Sequence, residues 1–307
     1  MTFSGQYVRW VMSVAGVLAV AAAVAPLASQ DLEPRAYSNA PTSMNVALIS
    51  YGYAWGGVEF DPTLPIEDVT ASVHRFGAGY YRSFALFGKM ASFSLAVPVV
   101  DAHLEGSVEG EFATGDFVGF GDPRARLSWL FIGGPALRPA EFAQRPRNPI
   151  TVGATVATQI PIGEYDNTKL INLGANRWAV KTEVGFSVPL NRLSVEGAAG
   201  VWWIADNTDL QGMTKAQDPV ATFQLHVSYT FRPGLWLGAN GTFFAGGRSE
   251  LDGVKRDDEL RNSRLGTTLS IPLAPRHAIK LTYVNGIVTR IGASVQQVAL
   301  SYQYRSF

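Results

Sequence analysis

The chain has 307 residues, 25 basic and 25 acidic side chains, and therefore no net charge. This balance and the lack of a basic stripe argue against nucleic-acid binding, which requires clustered Lys and Arg. The sequence contains no cysteine, which excludes disulfides, thiolate metal sites and cysteine nucleophiles. Only 16% of residues are charged, whereas glycine (31) and aromatic residues (7 Trp, 11 Tyr, 17 Phe) are abundant. This composition is typical of a membrane barrel whose strands alternate apolar and polar residues.

Residues 1–29 predict a cleavable signal peptide. Arg9 precedes an apolar stretch from Val11 to Val24, and Pro26 is followed by a small-residue processing site before Gln30. A charged start, a short apolar middle and a small-residue end are typical of secretory signals. The alternative is a transmembrane anchor, but an anchor needs about 20 apolar residues to cross roughly 30 Å of hydrocarbon. Because this stretch is shorter, we expect export and exclude it from the fold.

Beyond residue 43, apolar and polar residues alternate over stretches of about ten residues. In the stretch 177–188, Val184 and Phe186 fall on one face, while Lys181 and Glu183 fall on the other. Because strand side chains alternate between the faces of a sheet, one face suits lipid and the other water. The pattern predicts about twelve strands, and ten or fourteen would also be compatible. They lie near residues 44–56, 71–84, 89–102, 124–131, 150–160, 177–188, 193–204, 220–231, 235–245, 264–273, 278–285 and 295–304.

The predicted connections are alternately short and long. Tight turns are expected at 86–89, 189–192, 232–234 and 274–277, and longer polar links at 56–68, 161–176, 206–219 and 246–262. Short turns on one side and long loops on the other are typical of a bacterial outer-membrane barrel, with the turns in the periplasm. The link 133–149 lies on the short-turn side but is long and contains four prolines. It predicts a larger periplasmic loop.

These patterns predict an all-β fold, a transmembrane antiparallel up-and-down β-barrel formed by residues 44–307. The barrel has to close, since an open sheet edge facing lipid would leave backbone groups without hydrogen bonds. The alternative is a soluble periplasmic β-sandwich, whose strands also alternate but which needs fewer outward-facing aromatic residues. Aromatic residues concentrate near the predicted strand ends, where the membrane interfaces would lie: Tyr53, Trp55, Trp129, Trp178, Trp203, Tyr229, Tyr283 and Tyr304.

The last predicted strand ends close to Phe307. A terminal aromatic strand is what the barrel assembly machinery recognises in many barrels, so we expect that machinery to be a partner. Tyr302 and Tyr304 share the outward face, but Phe307 falls on the opposite parity. A β-bulge or a frayed end would account for this position.

Three parts of the sequence carry recognisable motifs: 31–41 (DLEPRAYSNAP), 119–124 (GFGDPR), and 161–166 (PIGEYD) followed by 172–178 (NLGANRW). Together they resemble a family of outer-membrane proteins associated with the meta pathway of phenol degradation. The third motif resembles the family's central loop and is the most specific. The resemblance spans nearly the whole mature chain and implies a barrel related to channels for hydrophobic compounds, with a role in the uptake of aromatic compounds. It assigns no catalytic or ligand-binding residues.

Nine polar or charged residues of the predicted strands are expected to line the lumen. They are candidates for a polar pore or a ligand site. Alternatively, a barrel of about twelve strands has a narrow interior, and its mixed charges pair across it. Because both signs are present, we expect neither strong anion nor strong cation selectivity. The nine are Arg124, Arg126, Lys181, Glu183, Glu196, Gln224, His226, Arg264 and Lys280.

Two further segments have alternative interpretations. The segment 30–43 precedes the first strand and is either a plug within the lumen or a periplasmic tail. The link 161–176 is either an outward loop that receives substrate or a set of turns, since Gly and Asn supply the positive backbone angles that turns need. Asp206, Asp209 and Asp218 lack the Asp-x-Asp-Gly spacing of a calcium loop. We therefore expect no metal and no cofactor.

The predicted function is passive uptake of small hydrophobic or aromatic compounds across the outer membrane. The alternative is a non-transporting structural barrel with a closed lumen. An enzyme is not expected. An outer-membrane lipase would need a catalytic histidine, and His226 with Ser228 is the best candidate pair, but no nucleophile motif surrounds them. His74, His103 and His277 are weaker candidates. The expected partners are outer-membrane lipid, the assembly machinery and the solutes themselves.

Overall fold

The computed structural model describes residues 34–59, 66–108, 110–145, 149–169 and 171–307. The predicted signal peptide lies outside these residues. Within them no helix is long and apolar enough to cross a membrane. The strands are β1 (Asn45–Glu59), β2 (Ile66–Leu86), β3 (Lys89–Val108), β4 (Glu111–Phe120), β5 (Arg124–Ile132), β6 (Thr151–Gln159), β7 (Ala179–Leu190), β8 (Leu193–Ile204), β9 (Asn207–Leu210), β10 (Met213–Gln217), β11 (Val220–Arg232), β12 (Leu235–Gly246), β13 (Ser249–Leu251), β14 (Val254–Lys255), β15 (Leu260–Ala274), β16 (His277–Val288) and β17 (Gly292–Ser306).

Twelve of these strands form a closed antiparallel ring. The order around the ring is β1–β2–β3–β5–β6–β7–β8–β11–β12–β15–β16–β17, and β17 pairs again with β1. The closing ladder runs in register from Asn45 opposite Ser306 to Glu59 opposite Gly292. Closure satisfies the backbone groups that an open edge would leave unpaired in lipid. The prediction of about twelve strands in an up-and-down barrel is confirmed.

One position in the wall is interrupted. The first half of β3 pairs with β5 and its second half pairs with β4, so β4 and β5 are two parts of one wall position. Between them lie Gly121, Asp122 and Pro123, and proline has no backbone N–H for a ladder. β4 is the last strand in the sheet order. The link 161–176, which we call the central loop, contacts the edge of β4, where the Glu164 N–H donates to the Phe120 carbonyl oxygen over 2.8 Å.

The two faces of the ring have the predicted chemistry. Phe223 and Leu225 on β11 point outward and are 52% and 56% exposed, as expected for side chains that contact acyl chains. Thr222 and His226 on the same strand point inward and are buried. The outward-facing residues include the predicted aromatic residues Trp178 and Trp203. The apolar stripe therefore lies on the outside of the cylinder.

The predicted short turns are confirmed, and we call the end that carries them the short-turn end. Phe87 and Gly88 form one turn with positive φ angles of 50° and 72°, and Asn191 (φ 57°) and Gly234 (φ 81°) mark two others.

The link 133–149 contains a helix, α1 (Pro139–Gln144). It begins with proline, whose φ suits the first helical position, and the Arg138 N–H donates to Glu141. The ladder stops at Ser306, so Phe307 follows the last strand.

Three predicted links at the opposite end, the long-loop end, contain more strand than expected. The link 56–68 is shorter than predicted because β1 continues to Glu59 and β2 begins at Ile66. The links 206–219 and 246–262 form a separate four-stranded sheet in the order β14–β13–β10–β9. Its central pairing joins Lys215 to Leu251. Such pairing between distant short segments leaves no periodicity in the sequence.

The sequence analysis did not predict β4 as a strand for a different reason: its outward-facing residues are a mixture of polar and apolar side chains.

Candidate functional site

All nine predicted lumen residues lie at inward-facing positions of the ring. Their contacts divide them into three groups, which we call levels and number from the short-turn end. The lower level contains Glu196 and Lys280, together with Trp236. The middle level contains Arg126, Glu183, Gln224 and His226. The upper level contains Arg124, Lys181 and Arg264, together with Trp202 and Phe244.

The N-terminal residues 34–44 lie inside the ring. Arg35 Nη2 donates to Thr230 Oγ1 over 2.5 Å, and the Arg35 guanidinium stacks on Trp236 at 4.4 Å from the ring centroid. On the opposite side, the Thr42 N–H donates to the Leu137 carbonyl oxygen over 2.8 Å. Burial lowers the pKa of Arg35, and the negative charge of Glu196 partly offsets this effect. The segment therefore contacts the wall at the lower level on one side and the link that precedes α1 on the other.

Tyr37 carries this segment into the middle level. Its side chain is 3% exposed, and its hydroxyl donates to Glu183 Oε1 over 2.8 Å. Its ring lies against Gly185, where a Cβ atom would overlap the ring. Burial, followed by the charge of Glu183, raises the pKa of Tyr37 above its usual value. Glycine at position 185 on β7 is thus required by this close approach.

Glu183 is the centre of a buried charge network. Its carboxylate lies 2.6 Å from Lys181 Nζ and 3.3 Å from Arg126 Nη2. It also accepts a hydrogen bond from Gln224 Nε2 over 3.2 Å. A buried carboxylate costs several kcal/mol unless it is paired, and these contacts supply the pairing and hold the side chain in place. The predicted pairing of mixed charges is found here.

His226 belongs to a polar chain of amide and hydroxyl side chains. Its Nδ1 lies 2.9 Å from Asn240 Oδ1, and its Nε2 lies 3.2 Å from Gln224 Oε1. Asn240 in turn donates to Thr268 over 3.0 Å. Ser228, the candidate nucleophile, accepts a hydrogen bond from Arg35 Nη2 over 3.3 Å. These contacts hold the histidine and the serine through different neighbours.

The upper level combines cations with aromatic rings. Trp202 on β8 and Phe244 on β12 are buried and pack together with Val220. The Arg124 guanidinium lies 5.4 Å from the Trp202 ring centroid, and the Arg264 guanidinium lies 6.0 Å from that of Phe244. Lys181 Nζ approaches the same tryptophan at 5.9 Å. Both rings are therefore within range of cation–π attraction.

An apolar cluster faces the lumen between the upper level and the long-loop end. Its members come from β1, β2, β3 and β17, and from Leu173 in the central loop. Phe117 of β4 and Ile171 pack against it. In a barrel filled with water, these inward positions would be polar. The buried members are Ala54, Val58, Ala71, Val73, Val100, Ala102, Leu104, Leu173, Ala293 and Val295.

The predicted central loop is fixed to the wall by Asp122. Its side chain is 1% exposed and accepts three hydrogen bonds, from Gln159 Nε2, the Gly163 N–H and the Ala175 N–H, over 2.8, 2.9 and 2.8 Å. Both signature segments of the loop therefore meet one carboxylate. This arrangement places Leu173 in the apolar cluster.

The four-stranded sheet at the long-loop end buries further charges. Burial lowers the pKa of Lys215 to about 8, and the positive charge of Arg177 adds to this effect. Burial likewise lowers the pKa of Arg177 to about 10, opposed by Asp206 and Asp258. Arg177 donates a hydrogen bond to Gln217. Asp206 was considered for calcium from the sequence, and here it is an electrostatic neighbour of arginine.

Sequence reasoning did not single out several residues of this interior. Trp202, Trp236 and Phe244 share the inward parity of the predicted strands, so the alternation could have identified them. Arg75 on β2 is a fourth such residue: it faces inward opposite Val100. Tyr37 and Arg35 were named only as part of a segment, because nothing local indicates contacts with residues more than a hundred positions away.

The fold defines a class, the closed twelve-stranded antiparallel β-barrel. The structure is similar to that of the COG4313 outer membrane channel from Pseudomonas putida F1, with a TM-score of 0.75 and 19% identity over 90% of this chain and 100% of that one. It also resembles the β-domain of the Bordetella autotransporter BrkA, with a TM-score of 0.51 and 12% identity over 86% and 100%. No match was found among curated proteins.

The family is shown by the sequence itself. Residues 64–289 match the family model described as "Putative MetA-pathway of phenol degradation". This range covers most of the chain, which therefore belongs to that family. The resemblance inferred from the three motifs is confirmed.

Proposed function

We propose that this protein is an outer-membrane channel that admits small hydrophobic or aromatic compounds by passive diffusion. The observation that carries the proposal is the apolar cluster on the inner face of the ring. A hydrophobic solute that contacts this cluster keeps its apolar surface out of water, so its passage costs little free energy. Burying apolar area is worth about 25 cal/mol per Å². The Pseudomonas putida protein, which has the same fold, is an outer membrane channel. Selection in such a site rests on size and desolvation, so no catalytic residue is part of the proposal.

The segment 30–43 is proposed as a plug of this channel. The contacts of Arg35, Tyr37 and Thr42 support the proposal, because they join the segment to β11, to β7 and to the link that precedes α1. A solute that crosses the lower level has to pass or displace them. Deleting residues 31–41 is therefore expected to raise single-channel conductance, and an unchanged conductance would count against a plug.

The nine predicted lumen residues are proposed to line the route in different ways. The middle-level residues Arg126, Glu183, Gln224 and His226 hold the plug and one another, whereas Arg124, Lys181 and Arg264 face the compartment above it. Glu196 accepts a hydrogen bond from Ser38 over 2.5 Å, and Lys280 lies 5.8 Å from the Trp236 ring centroid. These two border the lower entrance.

A non-transporting barrel with a closed lumen is the second candidate function. The network around Glu183 favours it, since ion pairs and the tyrosine ring fill the middle level. The two candidates differ in one respect: the structural barrel leaves solute uptake unchanged when it is removed.

The cellular setting completes the proposal. Export by the signal peptide, insertion by the barrel assembly machinery and a final location in outer-membrane lipid all agree with the apolar outer face of the ring. A mature chain that fractionates with soluble periplasmic proteins would contradict this placement.

The test measures uptake of toluene, a neutral monoaromatic hydrocarbon, in cells that lack the native gene and in the same cells with the wild-type protein restored. Cells with the protein are expected to take up toluene faster. The variant Val73→Asp, which places a charge in the apolar cluster, should lower that rate, and Val118→Asp on the outward face of β4 is the matched control. Equal rates with and without the protein would contradict the channel and favour the structural barrel.

A further inference from the structure

We propose that solutes cross the lumen along the inner face of four neighbouring strands, β17, β1, β2 and β3, while the N-terminal segment stays attached to the strands opposite. The inference rests on the proposed channel function and specifies the route through the channel. Three observations carry it: the uneven exposure of the inner wall, the one-sided contacts of the N-terminal segment, and the continuity of the exposed wall with the apolar cluster.

The first observation is that inward-facing side chains differ in exposure on the two sides of the ring. On β6 and β11, Thr155 and Ser228 are each only 3% exposed. On the four strands of the proposed route, Ser50 of β1 and Ser301 of β17 are partly exposed, and Ala96 of β3 is exposed. Because these positions face away from lipid, their exposed area lies inside the barrel. A space that water can enter therefore follows this part of the wall.

The side chains that border this space are small. The ladders align Pro98, Gly77, Ser50 and Ser301 in one row across the four strands, and Ala96 and Gly79 belong to the next row. In a narrow barrel the size of the interior side chains determines how much free space remains. These residues leave a recess along the wall, and its width limits the size of a solute that passes.

The second observation is the placement of the N-terminal segment. Arg35 contacts β11 and β12, Tyr37 contacts β6 and β7, and Ser38 contacts β8. At the short-turn end the segment also meets β2, where Ser83 Oγ donates to the Pro41 carbonyl oxygen over 2.6 Å. Within the described part of the chain, no hydrogen bond joins residues 34–43 to an inward-facing side chain of β1 or β17. The segment thus leaves the proposed route beside it.

The third observation is that the apolar cluster lies on the same four strands. On β1, Ala54 of the cluster follows Ser50 by four residues on the same face, which is about 13 Å along a strand. On β2, Val73 of the cluster precedes Gly77 by four residues, and Arg75 lies between them. A solute that leaves the cluster toward the short-turn end therefore stays on the same wall and does not have to cross the middle-level network.

The first experiment uses the absence of cysteine from the chain, because one introduced cysteine then gives a single reactive thiol. Ser301→Cys places the thiol on the route. Ser187→Cys is the matched control, since Ser187 faces inward on β7 but is 3% exposed. Each variant is folded, placed in a planar bilayer and treated with benzyl methanethiosulfonate, which attaches a benzyl group to an accessible thiol. We expect the reagent to lower the single-channel conductance of Ser301→Cys and to leave that of Ser187→Cys unchanged.

An unchanged conductance of Ser301→Cys after treatment, or a wild-type protein without measurable conductance, would overturn the inference. Because the bulk is added after folding, a folding defect does not explain a loss.

The second experiment measures toluene uptake in cells. Ala96→Trp and Ser301→Trp fill the route from two different strands, so each should lower uptake to nearly the rate of cells without the protein. Ala78→Trp is the control, because Ala78 lies on β2 but faces outward and is exposed. It should retain the wild-type rate. The heat-dependent shift in electrophoretic mobility verifies that each variant is folded.

The third experiment asks whether the N-terminal segment has to leave during passage. The hydroxyl oxygens of Ser38 and Ser187 lie 3.4 Å apart, so cysteines at both positions should form a disulfide that ties the segment to β7. We expect the oxidised double variant to take up toluene at the rate of its reduced form. Uptake that is lost on oxidation and restored by reduction would mean that the segment has to move out, and the route beside it would be wrong.

Toluene uptake by the wild type separates this inference from the proposed function. If the wild type takes up toluene and both tryptophan variants match its rate, the route is wrong and the channel stands. If cells with the wild-type protein take up toluene no faster than cells without it, the proposed function itself fails.

Discussion

The lower two levels of the lumen and the region above them are built from the same alternating strands but differ in chemistry. Below, the N-terminal segment, two carboxylates and several cations satisfy one another through short contacts, such as the 3.3 Å pair between Arg126 and Glu183. Above, cations lie beside Trp202 and Phe244, and an apolar cluster covers the wall. One region is organised around contacts within the protein, and the other presents surface of the kind that a solute can contact.

The comparison shows that an inward-facing position does not by itself determine the role of a side chain. Glu183 and Arg264 have the same parity on their strands, yet one is the centre of a closed network and the other borders an aromatic ring. The level along the barrel axis determines which neighbours each side chain meets. Variants at the two levels should therefore affect stability and selectivity differently.

The largest effect is expected from Glu183→Gln. The amide keeps the shape but removes the charge that offsets Lys181 and Arg126, and breaking one side of a buried ion pair costs about 3–5 kcal/mol. The free energy of unfolding, measured by urea titration in detergent, should fall by this amount. Glu111→Gln, at an exposed position on β4, is the control and should change it little. A small loss for Glu183→Gln would mean that the lower region is not held by this carboxylate.

Tyr37→Ala should come next, at about 3 kcal/mol for the loss of a buried aromatic side chain. Because the ring joins the N-terminal segment to the middle level, this variant should also raise single-channel conductance. Tyr37→Phe keeps the ring against Gly185 and loses only the hydroxyl contacts, so it should cost about 1 kcal/mol and leave conductance low. If both variants conduct like wild type, the ring does not obstruct the lumen.

Asp122→Asn tests the region above. One of the acceptor oxygens becomes an amide that faces N–H donors, so the variant should lose about 2 kcal/mol and release the central loop. Faster cleavage within residues 161–176 by added protease would reveal this release. The comparison is sharpened by Asp116→Asn, an exposed aspartate on β4 whose replacement should leave the cleavage rate unchanged.

The smallest effect concerns Lys215 and its pH dependence. Its folded pKa of about 8 lies below the ordinary value of 10.5, so between these pH values the unfolded chain binds more protons and stability rises with pH. Thermal unfolding of the wild type should therefore shift upward from pH 7 to 10. Lys215→Met should be more stable at pH 7 and lack this rise, whereas the exposed Lys255→Met should retain it. An identical pH profile in wild type and Lys215→Met would contradict the assignment.

Much of the wall follows from the sequence because lipid outside and polar groups inside impose a period of two on every strand. The tight turns follow from the same pattern together with Asn191 and Gly234, whose positive φ angles favour asparagine and glycine. The interior was harder to predict. Residues such as Tyr37 and Arg75 acquire their neighbours only when the ring closes, and closure joins positions that are far apart in the chain. The short strands of the four-stranded sheet are paired in the same nonlocal way.

The N-terminal segment also has a mechanical consequence. It is attached through Arg35 near the turn between β11 and β12, through Tyr37 to β6 and β7, and through Thr42 to the loop that precedes α1. A tie across a hollow cylinder resists flattening, and a bilayer exerts lateral pressure on any cylinder embedded in it. We expect the N-terminal segment to help the barrel keep its cross-section. Its release would therefore both open the lumen and make the wall around it easier to deform.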